Sequence, residues 1–200
     1  MVLNKYRKNV DSLLTKLAKP FLRVKPNTVT LVSLLFAFLG GLSFYLTKFS
    51  SGYLFLAFLF ILLSAFMDAL DGKIARLRKL SSRRGDFLDH LVDRYADTAI
   101  IVGIALSPYS TPLFGLFALT GVYLTSYIGT QAQAVGLKRI YGGFLGRADR
   151  MLILIILPLV QYFWWGYYFS VSSWVLLLFA ILGHLTALQR IWNAWRAIPF

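Results

Sequence analysis

Long uncharged apolar stretches alternate with short basic ones along this chain. Pro26 to Thr47 and Phe49 to Met67 each run without a charged residue, far enough to cross a hydrocarbon core as a helix. Thr98 to Leu137 is also uncharged, but Pro108 and Pro112 interrupt it, so it reads as parts of two helices. Met151 to Gln189 carries only the titratable His184 and is punctuated between Gly166 and Ser173; it too divides into two. The third helix must then begin before Thr98, near Gly85. The pattern predicts six spans, at about 27–47, 51–79, 86–107, 112–136, 148–167 and 172–195. Ahead of them, Leu3, Tyr6, Val10, Leu13, Leu14, Leu17 and Phe21 recur at helical spacing among Lys and Arg, the pattern of an amphipathic helix lying in a membrane interface. The expected fold is an all-α integral membrane protein, with an interfacial helix over 1–25 and a six-helix membrane domain over 26–200.

Composition agrees with that pattern. The chain is 58% hydrophobic and 14% charged, against about a quarter charged in soluble domains. Its formal charge of +13 would fit a nucleic-acid or an anionic-membrane partner, and the placement of the basic residues decides between them. They gather in the N-terminal segment (Lys5, Arg7, Lys8, Lys16, Lys19, Arg23, Lys25), around 79–86 (Lys73, Arg76, Arg78, Lys79, Arg83, Arg84) and over 137–150 (Lys138, Arg139, Arg147, Arg150), whereas the opposite loops hold only Lys48. An even number of spans places both termini and these loops in the cytoplasm, and no nucleic-acid partner is needed. The first twenty residues lack the compact apolar core and cleavage site of a signal peptide. With no cysteine, disulfides, thiolate metal sites and Cys nucleophiles are excluded.

All eight acids are Asp, and six of them lie between Asp68 and Asp97. Carboxylates at the ends of membrane helices are costly to desolvate and mark functional sites. Asp68 and Asp71 share one face at the end of the second span, and Asp89 and Asp93 share one face at the start of the third. Four converging carboxylates repel unless charge compensates them. Two hard divalent cations with oxygen ligands, Mg²⁺ or Mn²⁺, do so most simply; pairing with nearby Arg and Lys in a solvated turn is the structural alternative.

The segment Asp68-Ala69-Leu70-Asp71-Gly72-Lys73-Ile74-Ala75-Arg76, then eight residues, Gly85, three residues, Asp89, three residues and Asp93 resembles the signature of the CDP-alcohol phosphotransferase family at all of its fixed positions. The resemblance implies transfer of a phosphoalcohol group from a CDP-linked lipid donor to an acceptor hydroxyl, with release of CMP. It implies Asp68, Asp71, Asp89 and Asp93 as ligands of two divalent cations, Mg²⁺ or Mn²⁺, and Asp93 as the general base. It also places Asp71, Gly72, Ala75, Arg76 and Gly85 at the CDP moiety, and implies a homodimer. Asp97 reads as a supporting ligand or a structural ion pair, His90 as structural and His184 as a hydrogen-bonded packing residue; Pro26-Asn27-Thr28-Val29-Thr30 resembles the P-N-x-x-T opening of the first span in that family, and a role as the cap of that span is sufficient for Asn27.

The acceptor is carried by a second resemblance. Arg147-Ala148-Asp149-Arg150-Met151-Leu152-Ile153 is similar to an R-A/P-E-R-L-I segment of the phosphatidylinositol-phosphate and archaetidylinositol-phosphate synthases in that family, and Gln189-Arg190 to their Q-R pair. Arg147, Arg150 and Arg190 then hold the phosphate of a phosphorylated polyol. Inositol 1-phosphate is the first expectation and glycerol phosphate the second, because Ser126 to Gln133 lacks the basic residues and the acid that those synthases carry there. An ion-coupled transporter using the carboxylates, or an adaptor drawn to anionic lipid, explains the spans or the charge but not the Gly, Ala and Arg positions.

Overall fold

The structure, a computed structural model, describes residues 7–138, 140, 142–164 and 170–198. Leu3, Lys5, Tyr6, Arg139, Gly166 and the far end of the predicted 148–167 span lie outside the described residues. Among those described, the chain is helical and has no strand. A short helix, α1 (Arg7–Ala18), runs into a 3-10 turn at Lys19–Phe21 and is followed by six longer helices: α2 (Pro26–Leu46), α3 (Tyr53–Leu77), α4 (Arg83–Ala105), α5 (Pro112–Ala134), α6 (Arg147–Phe163) and α7 (Val171–Ala197). Pro26 and Pro112 each stand in the first turn of their helix, where the missing N–H costs nothing and the fixed φ favours helix. Ser82 caps α4, its side chain accepting the Gly85 N–H at 3.1 Å, so this helix starts a few residues before the predicted 86.

Four of the helices, α2, α3, α5 and α7, are long and apolar enough to cross a membrane. The first four turns of α4 carry Arg83, Arg84, Asp86, Asp89, Asp93, Arg94 and Asp97, and α6 has only 17 residues. Large apolar side chains point outward: on α2, Leu31, Leu35, Phe38 and Leu42 are exposed, while Ser33, Ala37, Gly40 and Gly41 are buried. A helix with small residues turned inward and Leu and Phe turned outward suits a lipid solvent, in which close backbone packing holds helices together.

That packing joins α2 to α3 and α4, α5 to α7, and α6 to α3 and α7. At the α2–α4 crossing, a Cβ added at Gly41 would run into the backbone of Ala99, and one added at Gly103 into Gly41. The α5–α7 crossing is similar: a Cβ on Gly183 would come within 2.9 Å of the Gly121 backbone, and the Thr125 hydroxyl bridges the two helices by donating to Gly121 O (2.8 Å) and Gly183 O (3.0 Å). Phe44, Ile61, Ile100, Ile104, Leu154 and Phe179 fill the space between.

The first helix is tied to α3 beside the acidic segment. Ala18 is buried in a cluster with Val29, Leu70 and Ile74, Lys73 Nζ donates to Asp11 Oδ1 at 2.7 Å, and Arg78 donates to Val24 O at 3.0 Å. Lys73, counted above among the basic residues around 79–86, is therefore a buried latch. Leu13 and Leu17 remain exposed on α1.

Candidate active site

The end of α3 and the beginning of α4 bring the acidic residues together. One carboxylate oxygen from each of Asp68, Asp71 and Asp89 lies within 4.8 Å of the others, and Asp89, a His90 ring nitrogen and Asp93 form a second group of the same dimension. Asp89 belongs to both. The spacings of three on α3 and four on α4 put each pair on one helical face. His90, expected to play only a structural part, thus stands at the rim of the cluster; its Nε2 also lies 3.6 Å from Asp86 Oδ1.

The donor set fits hard divalent cations, since the first group offers only oxygens. Asp71 Oδ2 is buried and has no hydrogen-bond partner among the described residues. Such an oxygen is expensive to enclose unless a cation or a donor reaches it.

Two cavities open on this cluster. The smaller, about 200 Å³, is lined by Asp71, Gly72, Ala75, Arg76, Gly85 and Asp89, with Asn27 and Thr30 from α2. Every residue expected at the CDP moiety therefore faces one space. Asn27 is a correction: α2 has Lys25 at its N-cap position with no side-chain cap bond, and Asn27 lines this cavity instead, near enough to Gly85 that a Cβ there would sit 3.7 Å from Asn27 Oδ1.

The larger cavity, about 480 Å³, is lined by Asp93, Arg94, Arg147, Asp149, Arg150 and Arg190, among others, and by the 142–146 segment. This segment is held onto α7: Gly143 has φ +130° and no room for a Cβ against Thr186, and Phe144 N–H donates to Thr186 Oγ1 at 3.1 Å. It leads into α6, where Asp149 Oδ2 accepts the Gly146 N–H at 3.1 Å. That bond closes the first turn and offsets the unfavourable placement of Arg147 and Arg150 at a helix N-terminus.

The three arginines expected at the acceptor all reach this cavity, yet each already has protein partners. Arg147 makes two bonds of 3.1 Å to the oxygens of Asp68 and a close ion pair with Asp93. Arg150 donates to Asp97 Oδ2 at 3.0 Å, with the two side chains 5% and 1% exposed; it is the most enclosed of the three. Arg190 donates to Gly142 O at 2.8 and 3.0 Å and to Thr125 O at 2.7 Å, clamping the 142–146 segment to α5. Asp97 is thus in a buried ion pair, and His184 pairs with Ala180 O at 2.8 Å, as expected of a packing histidine. Sequence reasoning passed over Arg94, whose Nη2 lies 3.3 Å from Asp97 Oδ2 and 3.8 Å from Asp93 Oδ2; the Arg94–Asp97 spacing of three on one helix was the available signal.

Carboxylates clustered between two cavities, one rimmed by arginines, within a bundle whose outer face is apolar, define an enzyme that handles phosphate groups at a membrane. The chain belongs to the CDP-alcohol phosphatidyltransferase family, whose model matches residues 23–188, and it is accordingly a transferase. It is 32% identical over 195 residues to the archaetidylinositol phosphate synthase of Pyrococcus horikoshii, covering 96% of each chain. It is 34% identical over 164 residues to the phosphatidylinositol phosphate synthase of Streptomyces avermitilis, covering 78% of this chain and 66% of that one. The crystal structure of Mycobacterium tuberculosis phosphatidylinositol phosphate synthase with CDP-DAG bound superposes with a TM-score of 0.77 at 30% identity, over 92% of this chain and 94% of that one. The same synthase in complex with manganese and citrate also gives a TM-score of 0.77, at 28% identity, over 91% and 88%.

Proposed function

We propose that this enzyme of phospholipid biosynthesis transfers a phosphatidyl or archaetidyl group from a CDP-linked lipid to the hydroxyl of inositol 1-phosphate, releasing CMP. The observation that carries the reading is that the two cavities meet at one carboxylate cluster, the smaller lined by Asp71, Gly72, Ala75, Arg76 and Gly85 and the larger by Asp93 and four arginines. A donor in the first and an acceptor in the second bring the lipid-bearing phosphorus and the attacking hydroxyl to the same place. Relatives named as synthases of inositol phosphate lipids support this acceptor.

Asp68, Asp71, Asp89 and Asp93 would hold two divalent cations, Mg²⁺ or Mn²⁺, which when bound neutralise the donor pyrophosphate and stabilise the departing phosphate of CMP. Arg76 pairs with phosphate oxygens in the donor cavity, and the bare backbone of Gly72 and Gly85 leaves room for the nucleotide. Asp93, shared between the cluster and the acceptor cavity, takes the proton of the attacking hydroxyl. The new bond joins that oxygen to the lipid-bearing phosphorus as the bond from phosphorus to CMP breaks. Arg147, Arg150 and Arg190 set the phosphate of the acceptor so that its hydroxyl faces the donor.

We further read all six of α2–α7 as crossing the bilayer, with α1 and residues 1–25 lying on its surface and residues 26–200 forming the membrane domain. The exposed Leu13 and Leu17 support this placement of α1. The basic residues at the α3–α4 connection and before α6 support a cytoplasmic site and termini. The family resemblance supports a homodimer.

The test is CMP release by purified protein from a CDP-lipid with Mg²⁺, comparing inositol 1-phosphate, glycerol phosphate, free inositol, glycerol and serine. Turnover with inositol 1-phosphate above the rest is expected. Preference for glycerol phosphate moves the assignment to the second acceptor, and preference for any unphosphorylated alcohol overturns the phosphate pocket.

A further inference from the structure

Four arginines line the larger cavity against two aspartates, Asp93 and Asp149. Asp149 is engaged in capping α6. Guanidiniums so close together repel one another and need a fixed counter-charge to hold them in one arrangement. Two of them share one atom as a counter-charge, and Arg94 Nη2 also lies 3.8 Å from Asp93 Oδ2. Asp97 Oδ2, on a side chain 1% exposed, lies 3.0 Å from Arg150 Nη2 and 3.3 Å from Arg94 Nη2.

The two arginines differ in what they present to the cavity. Arg150 is 5% exposed and directs its Nη2 at the buried Asp97, whereas Arg94 is 19% exposed. Asp97 faces both guanidiniums, and Asp93, the second carboxylate near Arg94, is itself closely paired with Arg147; of Arg94 and Arg150, the guanidinium that an incoming anion can reach is that of Arg94. We propose that Arg94 is a further anion contact of the acceptor cavity, and that Asp97 is a positioning residue that fixes Arg94 and Arg150 against each other from behind the wall. The ligand it implies is a phosphate monoester. This rests on reading the larger cavity as the acceptor site.

Charge and position make opposite predictions here, which gives the test its sign. Asp97→Asn removes a negative charge beside an anion site; were Asp97 acting through its charge alone, or only in folding, anion binding would tighten or stay the same. If it positions Arg94 and Arg150, binding weakens despite the more positive cavity. The measurement is calorimetric titration of the purified full-length protein, in Mg²⁺, with inorganic phosphate, together with acceptor and donor KM from CMP release.

Arg94→Gln should weaken phosphate binding and raise acceptor KM by about ten- to a hundredfold, the loss of one charge-assisted contact, with donor KM within about twofold. Asp97→Asn should move both quantities in the same direction. Asp97→Glu, which keeps the charge, should recover part of the loss and serves if the Asn variant fails to fold. Wild-type phosphate affinity in Arg94→Gln overturns the contact, equal or tighter binding in Asp97→Asn overturns the positioning role, and a wild-type protein that binds no phosphate overturns both. A protein that binds phosphate through Arg94 but releases no CMP from a CDP-lipid leaves this inference standing and removes the proposed reaction.

Discussion

Arg147 spans the carboxylate of Asp68, with Nη1 to Oδ2 and Nη2 to Oδ1 both at 3.1 Å, and pairs with Asp93 as well. These oxygens are also donors that a divalent cation at the cluster would use, so guanidinium and cation are alternative counter-charges for one set of carboxylates. Arg147→Ala should therefore tighten Mn²⁺ binding by about tenfold, on the scale of one partly exposed charge-assisted pair. The thermal midpoint of the variant should also rise more steeply with added Mg²⁺ than that of the wild type. Titration calorimetry and thermal unfolding in detergent check both; unchanged Mn²⁺ affinity would show that Arg147 and the cation do not compete.

Asp93 lines the larger cavity, proposed above to take the acceptor, whereas Asp68, Asp71 and Asp89 form the all-oxygen group. Asn at any of the latter three should lose CMP release and weaken Mn²⁺ binding together. Asp93→Asn should retain CDP-lipid binding while turnover falls by at least about a hundredfold, the range of general-base removal. Normal turnover by Asp93→Asn would assign the proton to another group.

The α2–α4 and α5–α7 crossings are set by the close approach of glycine backbones. At Gly103 even a methyl group meets the backbone of Gly41, while at Gly52 it meets only the Ser50 Oγ at 3.5 Å. Gly103→Ala should destabilise the protein by about 1–3 kcal/mol, the usual cost of overpacking, and Gly52→Ala should change stability by less than about 0.5 kcal/mol. Thermal unfolding of the two variants side by side decides whether the α2–α4 contact is as close as the structure has it.

What was legible beforehand was what lies within one or two helix turns. Asp68 with Asp71, and Asp89 with Asp93, follow from spacing alone, and the family signature joins the two helices that carry them. Contacts between helices distant in sequence were not legible. Asn27 read as a cap because a polar residue after a proline at a helix start fits that role, and only the approach of α2 to α4 turns it toward the donor cavity. Lys73 read as one of the basic residues marking the cytoplasmic side because nothing local announces Asp11, 62 positions away. Arg94 was hidden among the acids around it: its role depends on Arg150, which reaches Asp97 from another helix. The outward placement of Leu31, Leu35 and Phe38 with Gly40 and Gly41 inward reverses the soluble-protein pattern, and apolar length alone does not reveal which face of a span meets lipid.

The glycines of the donor cavity allow a graded test of its size. A Cβ at Gly85 would meet Ser82 Oγ at 3.4 Å and Asn27 Oδ1 at 3.7 Å, which are ordinary contacts, and Gly85 lies in the first turn of α4, where helix is the conformation required. Gly85→Ala should therefore fold normally and keep donor KM within about threefold, since a difference of that size is below one kcal/mol. A leucine adds three more carbons, and these have only the cavity of about 200 Å³ to enter. Gly85→Leu should raise donor KM by more than about tenfold, equivalent to at least 1.4 kcal/mol of lost binding. Its acceptor KM and its Mn²⁺ affinity should stay near wild type, because the added carbons do not reach the larger cavity or replace a carboxylate. Measured donor KM values that fail to separate alanine from leucine would mean that the nucleotide does not occupy this space.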